Sequence, residues 1–302
     1  LIAKDEGKEA GRSGEARGNG QEEVIDTRTF ADRSPSQYKA ATVRHWSAAP
    51  CGSNYAPRGQ DDLAYFEGIE RHRYATHPWI RDAIDSFEID GRDVLEVGYG
   101  MGTDHLRLAR RGGRMFGIDL TPRNLEETRR RLRLYGLQSR LTIGDAENLP
   151  YGDGTLDFVY SFGVIHHTPD TGRAVSEIHR VLRTGGSCWI TVYHRNSLFF
   201  WWTVLSVNYA LRGGFRKRSL QGQLSLIEHP NTDEDMVIRL YRRQEFQDLF
   251  RGFRSVRGCV RHLLPADLVG LDALFRDPSR PNRLLDWVGR RLGWYVVVEA
   301  TK

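Results

Sequence analysis

Residues 93–103 read Asp-Val-Leu-Glu-Val-Gly-Tyr-Gly-Met-Gly-Thr. An apolar run ends in a carboxylate, Glu96, and glycine then stands at every second position, Gly98, Gly100 and Gly102. A helical pattern follows over 103–111. The order is strand, glycine turn, helix. Glycine has no Cβ, so the backbone can turn sharply there and a ligand can approach it closely.

The same alternation continues along the chain. Strands are predicted at 114–119, 140–144, 156–161 and 187–193, with helices at 123–135 and 172–182 between them. Strands alternating with helices require a parallel sheet covered on both faces. The C-terminal third departs from this rhythm. It reads as a helix over 242–250, a strand over 253–260, short helices near 267–275 and 282–292, and a final strand over 293–300.

Of the 302 residues, 39% are hydrophobic and 27% charged, the mark of a globular chain, and the net charge of +5 is modest. No basic stripe with interleaved aromatics is visible, which argues against nucleic acid as a partner. Cys51, Cys188 and Cys259 lie far apart in sequence and form no metal-ligand or disulfide pattern. The expectation is therefore no metal and a cytoplasmic location. No run is long enough to span a bilayer. Residues 1–36 are charged, glycine-rich and apolar-poor, and are expected to be a disordered tail. Residues 37–90 carry many aromatics and two predicted helices, 61–74 and 78–87, which read either as a lid over the glycine turn or as packing at the sheet edge.

Acids mark the ends of the strands. Asp119 ends the second strand, where a ribose is held in open α/β sheets. Its position fits either a dinucleotide or an adenosyl ligand. Asp145-Ala146 follows the third strand, where a carboxylate can accept from an adenine amino group while the adjoining amide meets the ring.

At this point the sequence resembles the class I S-adenosylmethionine-dependent methyltransferases, nearest the ubiquinone/menaquinone-type branch. The motifs that carry the resemblance are Leu-Glu-Val-Gly-Tyr-Gly-Met-Gly, Gly-Ile-Asp-Leu-Thr, Gly-Asp-Ala-Glu-Asn-Leu-Pro, His-His-Thr-Pro-Asp and Val-Leu-Arg-Thr-Gly-Gly, in that order between about residues 93 and 193. Tyr99 stands where many relatives carry a small residue or cysteine, and Thr184 where proline is commoner. The resemblance implies a Rossmann-like, seven-stranded mixed sheet, its last strand antiparallel and inserted beside the fifth, with helices on both faces. It implies a methyltransferase domain over 91–302 with a substrate-cap insertion at about 196–240. It implies S-adenosyl-L-methionine as cofactor, lined by Gly98, Tyr99, Gly100 and Gly102, with Glu96 orienting the turn or the ligand's amino group through water. Asp119 and Leu120 would meet the ribose, Asp145 and Ala146 the adenine, and Ser161 the sulfonium region.

Methyl transfer from a sulfonium needs alignment in a dry site above all, and a general base only where the acceptor must lose a proton. His166 and His167, after the fourth strand, are the candidate bases, with a purely architectural role for the pair as the competing reading. His194, Phe199 and Trp202 are candidate walls of a substrate pocket. The apolar run 198–211 is followed by Arg212, Arg216, Lys217 and Arg218. It reads as a cap over an apolar or lipid-linked small-molecule acceptor, as a peripheral membrane contact through 198–218, or as a homodimer contact. Two other functions stay open at this stage. An NAD-dependent oxidoreductase would need Gly-x-Gly-x-x-Gly and leaves Asp145-Ala146 unexplained. A catalytically silent methyltransferase-like binding protein is opposed by the intact Gly98, Gly100, Asp119 and Asp145.

Overall fold

The computed structural model describes residues 34–57, 59, 61–217, 219–228, 236–275, 277 and 279–302. The expected tail lies outside these up to residue 33, as do Arg218 and residues 229–235 of the expected insertion.

Eight strands form one sheet. They are β1 (Asp93–Val97), β2 (Arg114–Asp119), β3 (Arg140–Ile143), β4 (Leu156–Phe162), β5 (Leu182–His194), β6 (Leu240–Tyr241), β7 (Ser255–Arg261) and β8 (Tyr295–Thr301). The order is β3-β2-β1-β4-β5-β8-β7, with the two-residue β6 pairing with the end of β5. β8 runs antiparallel to both β5 and β7, and the other described pairs are parallel. The expected mixed sheet with an antiparallel last strand beside the fifth is therefore present. β6 was not expected, because two residues are too short to show a period.

β1 lies between β2 and β4, and its residues Val94, Leu95 and Val97 are fully buried. That is why apolar residues stand side by side in it, on both faces, rather than in strict alternation. The strand end is thus held from both sides, and the turn after it projects from a rigid base. On one face pack α4 (Thr103–Arg110) and α5 (Pro122–Leu134), and on the other α6 (Thr171–Val181) with α8 (Arg243–Asp248). α6 buries Ala174, Val175, Ile178 and Val181, a helical 3.6-residue spacing, against Leu95, Val159 and Ile190 of the sheet.

Three differences from the sequence reading have local causes. β5 starts at Leu182, not 187, because Gly185-Gly186 makes a bulge that shifts the pairing from Leu156–Leu182 to Phe158–Ser187. Segment 267–275 is two 3-10 turns, Pro265–Asp267 and Asp272–Leu274, not an α-helix. A helix that the period did not show, α1 (Pro35–Ala48), begins inside the expected tail. Its signal was a cap: the Ser34 and Gln37 side chains bond each other's backbone and Pro35 opens the first turn. α2 (Asp62–Thr76) and α3 (Pro78–Ser86) follow it, close to the expected bounds. The run Phe199–Leu211 winds as a π-helix, and no helix among the described residues is long and apolar enough to cross a membrane.

Candidate active site

Gly98, Gly100 and Gly102 all have positive φ, at 79°, 51° and 72°. Side chains rarely adopt this region, so the alternating glycines are what allow the turn. Each serves a different need. A Cβ at Gly98 would lie 2.2 Å from Val164 Cγ2, so the turn passes hard against the loop after β4. At Gly100 a Cβ would meet nothing within 4 Å, and this residue lines open space. At Gly102 it would lie 2.8 Å from Thr128 Cγ2 of α5, and Gly102 does not line the cavity. Gly102 is a packing glycine that lets α4 sit close to α5, a correction to its expected place among the ligand-lining residues.

Asp119, at the end of β2, fastens this turn. Its Oδ2 accepts from Gly100 N (3.0 Å), and its Oδ1 accepts from Thr121 N (2.9 Å) and Asn124 Nδ2 (3.0 Å). Burial raises its pKa above the ordinary carboxylate value, and these donors oppose that shift. Glu96 is buried beneath the turn, where Oε2 meets His105 Nδ1 at 2.8 Å. Ser139 Oγ donates to Met115 O (2.9 Å), so it accepts from His105 Nε2 (2.8 Å). Burial lowers the His105 pKa to about 3, which keeps the ring neutral and leaves Nδ1 as an acceptor. Burial, with Asp104 nearby, raises the Glu96 pKa well above the ordinary value, so Glu96 is protonated and donates. Its bond to His105 ties β1 to α4 and braces the turn.

A cavity of about 600 Å3 opens over this turn. At one end lie Glu96, Gly98, Tyr99, Gly100, Asp119, Leu120, Asp145 and Ala146. The structure therefore brings together eight of the ten residues expected at the cofactor. Tyr99 is buried, its hydroxyl donating to Thr142 O (3.3 Å). Ser161 does not reach the cavity: it is fully buried and spends its hydroxyl on Val97 O (3.0 Å), joining β4 to β1. Asp145 carries a partner that no local pattern announced. Lys39 Nζ from α1 lies 2.5 Å from both Asp145 Oδ2 and Glu147 Oε2, so α1 forms a wall over this end.

At the other end the walls are rings: Trp46, His77, Phe162, His167, Tyr193, Phe199, His262, Trp294 and Tyr295. His77 and His262 stack with centroids 4.1 Å apart. Arg73 sits over the Phe162 ring at 4.6 Å while its guanidinium is paired with buried Asp104. His167 is in the wall, with Nδ1 donating to Val237 O (2.8 Å), which puts the ring's lone pair at Nε2. His166 is not. It is fully buried, sandwiched by His167 and Tyr193, and neither ring nitrogen has a hydrogen-bond partner. Burial, then His167, lowers its pKa well below the ordinary value, so it stays neutral as a core ring. His194 is also off the wall, donating from Nδ1 to Gly293 O (3.0 Å). Of the expected pocket walls, Phe199 lines the cavity, whereas the Trp202 indole turns outward and donates to Val269 O (3.0 Å).

Three residues that sequence reasoning did not select stand out at the ring-lined end. His262 is the one non-glycine among the described residues with positive φ, 73°. Such strain persists where the surroundings impose it, and it gathers at functional sites. The Trp79 indole can only donate, so His262 Nδ1 accepts from it (3.4 Å) and the proton sits on Nε2. Burial lowers the His262 pKa to about 4, which keeps the ring neutral. His77 is likewise held neutral by burial, with His262 and Arg73 adding to the effect. Asp267 lines the same end, and burial raises its pKa to about 6 although Oδ2 accepts from Leu264 N (2.7 Å). Nothing in the periodicity of 261–267 separates these residues from loop packing. No group of metal-ligating side chains occurs among the described residues.

Comparison with known proteins agrees with this geometry. Residues 95–190 match the family model described as a methyltransferase domain. The chain is 37% identical over 99 residues to "Methyltransferase GfsG" of Streptomyces halstedii, covering 32% of this chain and 36% of that protein. It is 37% identical over 117 residues to phthiotriol/phenolphthiotriol dimycocerosates methyltransferase 1 of Mycobacterium ulcerans, covering 38% and 39%. Both matches span well under half of the relative's own length. Among solved structures, the Burkholderia thailandensis 1,6-didemethyltoxoflavin-N1-methyltransferase with bound 1,6-didemethyltoxoflavin and S-adenosylhomocysteine shares the fold. Its TM-score is 0.53 at 17% identity, covering 89% of this chain and 91% of that one. Residues 95–190 thus resemble a methyltransferase domain, on a fold that solved methyltransferases share.

The residues present fit S-adenosylmethionine. The turn is open at Gly100, and Asp119, Asp145 and Ala146 line the same cavity as the turn.

Proposed function

We propose that the whole chain is a methyltransferase that acts on a small, apolar, ring-bearing or lipid-linked acceptor held in the aromatic end of the cavity. One observation carries this reading: a single cavity joins the glycine turn and its acids to a chamber walled by aromatic rings. The name of the mycobacterial relative, which refers to a dimycocerosate acceptor, supports an apolar substrate class. S-adenosylmethionine supplies the methyl group, already activated as a sulfonium.

This chain's residues supply place and dryness. Gly98 and Gly100 let the backbone approach the cofactor, and Asp119 fixes their conformation while facing the ribose position. Tyr193, Phe199, Trp294 and Tyr295 would exclude water and orient a flat or apolar acceptor toward the end of the cavity that holds the glycine turn. The His262 Nε2–H is a donor toward an oxygen of the acceptor. Where that oxygen must lose a proton, His167 through Nε2 or Asp267 is placed to receive it. The role considered for His166 passes to His167.

Titration calorimetry with S-adenosylmethionine and, separately, with NAD tests the reading. Binding of the adenosyl ligand, weakened by Asp119→Ala, is the expected result. No heat with the adenosyl ligand, or a preference for NAD, overturns it.

A further inference from the structure

Three segments lie outside the ring-lined chamber: the π-helix Phe199–Leu211, residues 263–275, and α9 (Arg283–Leu292). They share one small core, Leu263, Leu268 and Leu285, with Leu198, Phe275 and Val288 packed on it. The π-helix is tied to the middle segment three times, once by Thr203 Oγ1 donating to Asp267 O. Trp202 donates to Val269 O (3.0 Å), and Thr203 Oγ1 accepts from Val269 N (3.2 Å). This unit forms part of the chamber wall through Phe199, Leu264 and Asp267.

Its outer surface is not what a water-facing surface needs. Leu274 is 80% exposed, Trp287 66% and Leu284 64%, and Trp201, Trp202 and Leu271 are each about two-fifths exposed. On α9, Leu284, Trp287 and Arg291 fall at i, i+3 and i+7, one stripe of the helix. Cations adjoin these groups in the chain, with Asp272 standing between Leu271 and Leu274. Exposed Arg212, Arg216 and Lys217 follow the π-helix, and Arg283, Arg290 and Arg291 ride on α9, where Asp286 is the one acid. Tryptophan and leucine rimmed by arginine is the chemistry of a surface that enters a headgroup layer.

We propose that this face docks on an anionic lipid surface. The exposed indoles and leucines enter the headgroup layer and the arginines meet lipid phosphates. An apolar acceptor then passes from the layer into the chamber beneath without crossing water. This route rests on the apolar-acceptor reading above, but docking itself does not require it.

Cosedimentation of the full chain, without cofactor, tests the proposal. The vesicles are phosphatidylcholine alone, or phosphatidylcholine with about 30% phosphatidylserine. Partition onto the anionic vesicles should be at least about tenfold stronger, and should collapse near ~0.5 M salt, where screening is short-ranged. Leu284→Ser with Trp287→Ser should lower it about tenfold, with S-adenosylmethionine binding unchanged. Arg283→Glu with Arg291→Glu should do the same through exposed positions. Equal partition onto both vesicles, no partition, or wild-type partition by both variants overturns the proposal. A concentration-dependent dimer in ultracentrifugation, dissolved by the same substitutions, overturns it in favour of an interface between copies of this chain. Failure to bind S-adenosylmethionine would remove the methyltransferase reading and leave the vesicle result standing.

Discussion

Asp267 offers the sharpest test of the chamber. Its carboxyl lines the ring-lined end, and burial raises its pKa from 3.8 to about 6. A folded-state pKa above the unfolded value means that the folded protein holds the proton more tightly. The stability this contributes is fully present below about pH 3.8 and is lost as pH rises through about 6. A displacement of that size corresponds to about 3 kcal/mol, an upper figure because the carboxyl's open side meets the cavity. Asp267→Asn keeps an acceptor for Leu264 N–H but cannot ionise. Relative to wild type, the variant should therefore gain up to about 3 kcal/mol between ~pH 4 and ~pH 7, with the gain concentrated below ~pH 6 and levelling above it. Urea denaturation of both proteins across that range reads the difference directly. An apolar acceptor would displace water from the carboxyl and push its pKa higher, so the acceptor should bind wild type more tightly at low pH. Parallel stability curves for the two proteins would refute the burial of Asp267, and with it the dry chamber.

Gly98→Ala places a Cβ against Val164 at a φ that alanine resists, so cofactor affinity should fall at least about tenfold in calorimetry, with a stability loss of roughly 1–3 kcal/mol. His166→Phe should leave turnover unchanged and keep or raise the melting temperature, because the ring it replaces is buried with unpaired nitrogens. His167→Ala should lower kcat without loosening the cofactor, and wild-type rates on a hydroxyl acceptor would remove it as the base. Lys39→Met cuts the partly exposed tie from α1 to Asp145, so stability should change by less than about 1 kcal/mol. Stopped-flow release of S-adenosylhomocysteine should nonetheless be faster, since α1 forms the wall over that end.

The fold class and the cofactor end were legible because their signals are local. Val94, Leu95 and Val97 must be apolar to sit inside the sheet, Gly98 and Gly100 must lack a Cβ to turn, and Asp119 must end its strand to reach the turn. Each requirement acts within a few residues, so each leaves a readable trace. Even there, Gly102 and Ser161 are kept off the cavity by contacts no spacing reveals, one to Thr128 and one to Val97 O.

The chamber depended on contacts distant in sequence. His77 meets His262, Lys39 meets Asp145, and His166 is enclosed by Tyr193 while its neighbour His167 reaches the cavity. Adjacent histidines are identical in sequence terms, and only their packing separates a core ring from a wall ring. The sequence by itself determined the sheet, the glycine turn and the acids at the strand ends, because backbone geometry and burial impose them locally. The tertiary structure alone decided which rings wall the chamber and which carboxyl is desolvated, because burial at those positions is made by segments that meet only when the chain has folded.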